Sequence, residues 1–98
     1  MTINKVKDGS NLSVSLSGRL DTSTAPELEA VFADELSGVS ALTIDFKELE
    51  YISSAGLRVL LATQKTMNQQ GTMVIKNVNS DIMDVFEMTG FSDILTIE

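Results

Sequence analysis

The chain has 98 residues, 43% of them hydrophobic, which suits one packed domain and is too short for two. Fourteen acidic side chains against seven basic ones leave a formal charge of −7, which repels phosphate backbones and anionic lipid and argues against nucleic-acid or membrane-surface binding. Cysteine and histidine are both absent, so disulfides, thiolate metal sites, a Ser-His-Asp triad and the commonest general base are excluded.

Ile3 to Val6 read as a weak strand ahead of the turn signal Asp8-Gly9. Leu12, Val14 and Leu16 then alternate with Ser13, Ser15 and Ser17, the period of a half-buried strand. Together they predict an opening hairpin. Thr24 followed three residues later by Glu27 fits a capping box, with Pro26 in the first turn. Leu28, Val31, Phe32 and Leu36 recur on one helical face and Gly38 suits an exit, which predicts a helix over 25–37. Leu42, Ile44 and Phe46 alternate with Thr43 and Asp45, a strand over 42–46 followed by a short polar link. Leu57, Leu60, Leu61 and Met67 share a face that Val59 and Ala62 widen, so a second helix is expected over 55–70, stopping at Gly71. The run TMVIKNV (72–78) is short, apolar and β-branched, as a mostly buried strand is. A third helix over 79–90 has Asn79 or Ser80 as cap, Ile82, Val85 and Phe86 as buried stripe, and Gly90 as its end. DILTIE closes the chain as a last strand.

The order is therefore β-β-α-β-α-β-α-β. Alternating strands and helices in the second half predict right-handed crossovers and parallel pairing there, while the hairpin makes the sheet mixed. One apolar stripe per helix predicts three amphipathic helices on one sheet face, a single α/β domain over 1–98. No repeat, linker or low-complexity segment interrupts it.

Machinery for chemistry is missing. No G-x-x-x-x-G-K-[ST] loop or G-x-G-x-x-G turn occurs among the six glycines. The basic residues are scattered and form no stripe. The expectation is a protein that is not an enzyme and holds no cofactor or metal. No apolar run approaches the roughly 20 residues of a membrane span. The opening MTINKVKDGS is polar throughout, so the expected compartment is the cytoplasm, without membrane insertion.

One stretch stands out, YISSAGLRVLL (51–61). It lies at a strand-to-helix turn, on the carboxyl side of a strand, where ligands and partners meet open α/β sheets. A helix start also carries unpaired N–H groups and a positive dipole end, which favour an anion. A cap stabilises a helix by about 1 kcal/mol, and either Ser53 or Ser54 could supply it. One serine is enough for that. The second, and Gly56 beside it, leave two readings open, a plain helix cap or a hydroxyl presented for modification beside a bare backbone open to a partner.

ISSAGL resembles the signature of the STAS family of anti-sigma factor antagonists, usually D-S-S-G-L. LSGRLDTSTAPEL (16–28) resembles the family's opening segment, LTIDFKELEYISSAGL the strand entering its phosphorylation loop, and TMVIKNVNSDIMDVFEMTGFSDILTI its C-terminal part. Four segments in order span nearly the whole chain. The resemblance implies the STAS fold and partner switching. The unmodified protein binds an anti-sigma factor that is also a serine kinase, which frees the sigma factor. Phosphorylation ends that binding, and a PP2C-type serine phosphatase reverses it. The family's phosphorylated serine, two places before the motif glycine, falls on Ser54. Its N-terminal aspartate falls on Asp21. The motif's own aspartate falls on Ser53, which carries no charge, and its second serine on Ala55. Asp21, Thr22, Ser53, Ser54, Ala55, Gly56 and Leu57 are the expected partner contacts. The alternative is a STAS adaptor subunit of another assembly, such as a lipid-transport complex, with no phosphoswitch. Met83 and Met88 read as core filler or as an exposed partner surface on the third helix.

Overall fold

Two alternating segments open the chain and pair with each other. In the computed structural model, which describes residues 1–98, β1 (Thr2–Asp8) and β2 (Asn11–Leu20) form an antiparallel hairpin. Gly9 closes its turn at φ +62°, a conformation glycine adopts without steric cost. β3 (Ala41–Ile52) lies parallel to β2 and β4 (Thr72–Lys76) parallel to β3, so sheet order follows chain order. The expected mixed sheet is present.

One face of the sheet is dry. Leu12, Val14 and Leu16 of β2, Leu42, Ile44 and Phe46 of β3, and Met73 and Ile75 of β4 are buried, while Ser13 and Ser15 between them are exposed. The helices α1 (Ala25–Glu35), α2 (Ser54–Gln70) and α3 (Ser80–Thr89) cover the dry face. Each buries one stripe: Leu28 and Phe32 from α1, Leu57, Leu60 and Met67 from α2, Ile82 and Phe86 from α3. Phe86 meets Phe46, with ring centroids 6.3 Å apart, and ties α3 to the middle of β3. Twenty-four buried apolar residues form one cluster. No helix is long and apolar enough to cross a membrane.

Several boundaries differ from the expected ones, each for a local reason. β3 continues through the supposed polar link to Ile52. Ser15 pairs with Asp45 and Ser17 with Glu48, then Gly18 with Leu49 and Arg19 with Tyr51, so β3 carries an extra residue twice. Each bulge adds one position, and the buried residues fall at 46, 49 and 52 instead of every second place. The expected capping box does not form. Thr24 is the N-cap of α1 but makes no side-chain cap bond. Its hydroxyl donates to the Arg19 carbonyl at 2.8 Å and accepts the Asp21 N–H at 2.8 Å. Of the two candidate caps for α3, Asn79 does the work, accepting the Ile82 N–H at 2.8 Å. β4 ends at Lys76, where Asn77 turns away at φ +60°. The last expected strand is reduced to one parallel bridge, Ile97 opposite Ile75, after a 3₁₀ turn at Phe91–Asp93. On α2 the buried face includes Thr63 and Gln64, while Ala62 is exposed and Leu61 half-buried.

The Phe46–Phe86 contact carries a prediction. Phe86→Ala should lower stability by about 3–5 kcal/mol, through lost burial plus a cavity. Urea unfolding should show a lower midpoint with an unchanged slope.

Candidate functional site

β2 and β3 are parallel neighbours, so their carboxyl ends finish side by side. Leu20 stands opposite Ile52, and the Ser53 N–H donates to the Leu20 carbonyl at 2.9 Å. The turn that starts α1 and the turn that starts α2 are thereby held together. Two helix N-termini, far apart in sequence, adjoin at the end of the sheet where such folds place their sites.

The two serines of the α2 turn have different environments. Ser53 is the N-cap, in extended conformation, but its side chain makes no cap bond. Its Oγ is shut off from solvent and has no hydrogen-bond partner. Ser54 is the first residue of α2 and is exposed. Neither serine hydroxyl acts as the expected cap. Of the two hydroxyl-bearing residues, only Ser54 is exposed.

Gly56 is buried. A Cβ built there would lie 2.7 Å from Leu20 Cγ and 2.9 Å from Ile52 Cγ1. Its missing side chain thus lets α2 sit close on the two strand ends. This corrects the expectation that the glycine bares backbone for a partner. Ala55 and Leu57 are buried with it, at 8% and 7% exposure. These three residues shape the turn from beneath, and their side chains are not on the surface.

Asp21 organises the adjoining turn. Its Oδ1 accepts the Ser23 hydroxyl at 2.8 Å, the Ser23 N–H at 3.0 Å and the Thr24 N–H at 3.2 Å. The Ser23 hydroxyl, with the Thr24 and Ser23 N–H groups, holds its carboxyl below the usual aspartate range despite some desolvation. Arg19 approaches Asp21 Oδ2 at 3.8 Å and lies 4.2 Å over the Tyr51 ring. Arg58 is exposed four residues after Ser54, one helical turn away. The rim therefore has an ionised carboxylate, two guanidinium groups and an exposed hydroxyl at a positive helix end.

Sequence reasoning missed Arg19, Tyr51 and Arg58. The β3 bulge brings Tyr51 beside Arg19, and period-two alternation gives no sign of it. Arg58 was legible from its i, i+4 spacing to Ser54. Of the seven expected contacts, Thr22 and Ser54 are exposed, Asp21 and Ser53 are half-buried, and Ala55, Gly56 and Leu57 are buried.

The chain has clear relatives. The family profile described as "Mlab, STAS domain" matches residues 3–96. BtrV of Bordetella bronchiseptica is 36% identical over 99 residues, covering 99% of this chain and 84% of its own. This chain belongs to the STAS family. The anti-sigma-B factor antagonist of Bacillus subtilis is 31% identical to this STAS chain over 100 residues, 99% of this chain and 92% of that protein. Among solved structures, the STAS fold matches the anti-sigma factor antagonist SpoIIAA in its unphosphorylated form, at 16% identity and TM-score 0.78, over 99% of this chain and 87% of that one. Bacillus SpoIIAA in its phosphorylated form matches at 16% identity and TM-score 0.77, over 99% and 91%.

The STAS turn gives two predictions. Gly56→Ala should cost about 1–3 kcal/mol, because its methyl group must displace Leu20 and Ile52 in a packed core. A thermal melt of purified Gly56→Ala against the parent protein measures it. NMR titration of the Asp21 carboxyl should give a midpoint below that of free aspartate, rising toward it in Ser23→Ala. Because the folded value is the lower one, the stabilisation from this group is present above the ordinary aspartate pKa. It is lost as pH falls through the depressed value.

Proposed function

We propose that this STAS protein is an anti-sigma factor antagonist that acts by partner switching through Ser54. The observation that carries the reading is the contrast at the start of α2, where Ser54 is exposed while the neighbouring hydroxyl, Ser53 Oγ, is sealed. The relatives' names support the antagonist role, and SpoIIAA in a phosphorylated form supports the modification.

In this reading the unmodified end of the sheet docks an anti-sigma factor that is also a serine kinase, and so frees the sigma factor. Thr22 and Ser54 touch the partner directly, with Asp21 and Ser53 beside them. Ala55, Gly56 and Leu57 act by holding the turn in shape. Transfer of phosphate to Ser54 Oγ adds about −1.5 to −2 charges at neutral pH. Within the free protein that charge is tolerated, since it lies at the positive end of α2, one turn from Arg58. Against a docked partner it is an unpaired charge in an interface, costing about 2–5 kcal/mol. Affinity then falls by about 30-fold to several thousand-fold. A PP2C-type phosphatase resets the switch. The protein is a cytoplasmic binding module and catalyses nothing itself.

Two variants separate binding from folding. Ser54→Ala removes no cap bond and should stay within about 0.5 kcal/mol of the parent in stability. It should bind a kinase-type anti-sigma factor as well as the parent. Ser54→Asp suits the helix N-terminus, so it should fold equally well. Its carboxylate should weaken binding by about 5- to 150-fold, or about 1–3 kcal/mol. Calorimetric titration alongside thermal melts decides. Equal affinity of both variants would mean an adaptor without a phosphoswitch.

A further inference from the structure

One cation at the rim of the Ser54 turn has no counter-ion within the chain. Of the two arginines, Arg19 is engaged, lying 4.2 Å over the Tyr51 ring and 3.8 Å from Asp21 Oδ2. Arg58 is exposed and belongs to none of the ion pairs, which all use Lys5, Lys7 or Arg19. Acidic side chains outnumber basic ones fourteen to seven, so this isolation has a cause in the sequence. No Asp or Glu occurs anywhere from Tyr51 to Ser80. The helical neighbours of Arg58 at three and four residues are Ser54, Ala55, Leu61 and Ala62, none of which can neutralise it.

A guanidinium is a planar fork that meets a carboxylate or a phosphate with two parallel N–H bonds. Helical side chains lean back toward the helix N-terminus, so the Arg58 stem runs toward the turn that carries Ser54. Residues at i and i+4 have Cβ atoms about 5–6 Å apart, which puts a phosphate on Ser54 Oγ within reach of the fork. The same exposed fork is open to a carboxylate of a protein docked on Ser54. One fork cannot serve both anions at once. A second copy of this chain is a poor source of that carboxylate, because each copy carries a net charge of −7.

We propose that Arg58 exchanges one anion for another when the switch is thrown. In the unmodified protein it anchors an acidic side chain of the docked anti-sigma factor. The kinase then moves the terminal phosphoryl group of ATP to Ser54 Oγ, releasing ADP and the hydroxyl proton. The new phosphate takes the guanidinium in cis, so the partner loses an anchor as well as meeting a new charge. This inference rests on the partner-switching reading and adds to it a contact residue, the chemistry of the group it holds, and a means of release.

The cis pair is tested without any partner. The intact chain carrying phosphoserine at position 54, inserted during translation, is titrated by ³¹P NMR as parent and as Arg58→Gln. A free phosphoserine passes to its dianion at about pH 6. A guanidinium favours the dianion, so the parent's midpoint should lie below that of Arg58→Gln, with Arg58→Lys between them. Asp21, Arg19 and the N–H groups of α2 are the same in every protein, so the difference belongs to residue 58. The partner contact is tested by calorimetric titration of the unphosphorylated proteins with a purified kinase-type anti-sigma factor. Arg58→Gln should bind about tenfold more weakly than the parent, at an unchanged melting temperature. Equal ³¹P midpoints would remove the cis pair, and equal affinities would remove the partner contact. Either result overturns the exchange and leaves the Ser54 switch standing. A parent protein that binds no anti-sigma factor in either state would overturn the switch itself, and this inference with it.

Discussion

The placement of the site rests on Leu20. It is fully buried and stands opposite Ile52 in the parallel register of β2 and β3. Its carbonyl holds the Ser53 N–H, and its side chain fills the space that Gly56 leaves open. One residue thereby fixes where β3 stops, where α2 begins and how closely α2 sits on the sheet. The turn at Asp21, next in sequence, is carried to the same place. Ser54 is exposed at a defined height above the sheet because the residues on either side of it, Ser53 and Ala55, are tied down.

This arrangement explains how a charge could be added without loss of the fold. The first turn of a helix has N–H groups with no intrahelical acceptor, and here no serine side chain occupies them. A phosphate on Ser54 would meet those groups and Arg58, not the apolar core. The core contacts of α2 begin one residue later, at Ala55, and face the other way. In the proposed reading, binding and folding therefore draw on different sides of the same helical turn. Asp21 adds a fixed negative charge nearby, which its hydrogen bonds to Ser23 and Thr24 keep ionised.

Much of this was legible in the residues. The alternation at Leu12–Leu16 and the stripe of α3 gave strand and helix directly, since one face of each is buried and the other is wet. The ISSAGL stretch was legible as a strand-to-helix turn, and it forms the start of α2. Local patterns could not show what depends on pairing partners. β3 was cut short at Phe46 because two bulges break its period, and the same bulges hid the Arg19–Tyr51 contact. Gly56 looked like an opening for a partner, when the space it leaves is filled by Leu20 from a strand some 36 residues away. Thr24 and Glu27 had capping-box spacing, but Asp21 and Arg19 hold the threonine hydroxyl instead. Nothing in the local pattern marks Gln64 as buried, and only the packing puts it inside.

The central claim is that Ser54, and not its neighbour, takes the phosphate. The most direct measurement is tandem mass spectrometry of the intact protein after incubation with a kinase-type anti-sigma factor and ATP. The account predicts one phosphate, mapped to Ser54, and none on Ser54→Ala under the same conditions. Phosphate mapped to Ser53, or full incorporation into Ser54→Ala, would contradict it.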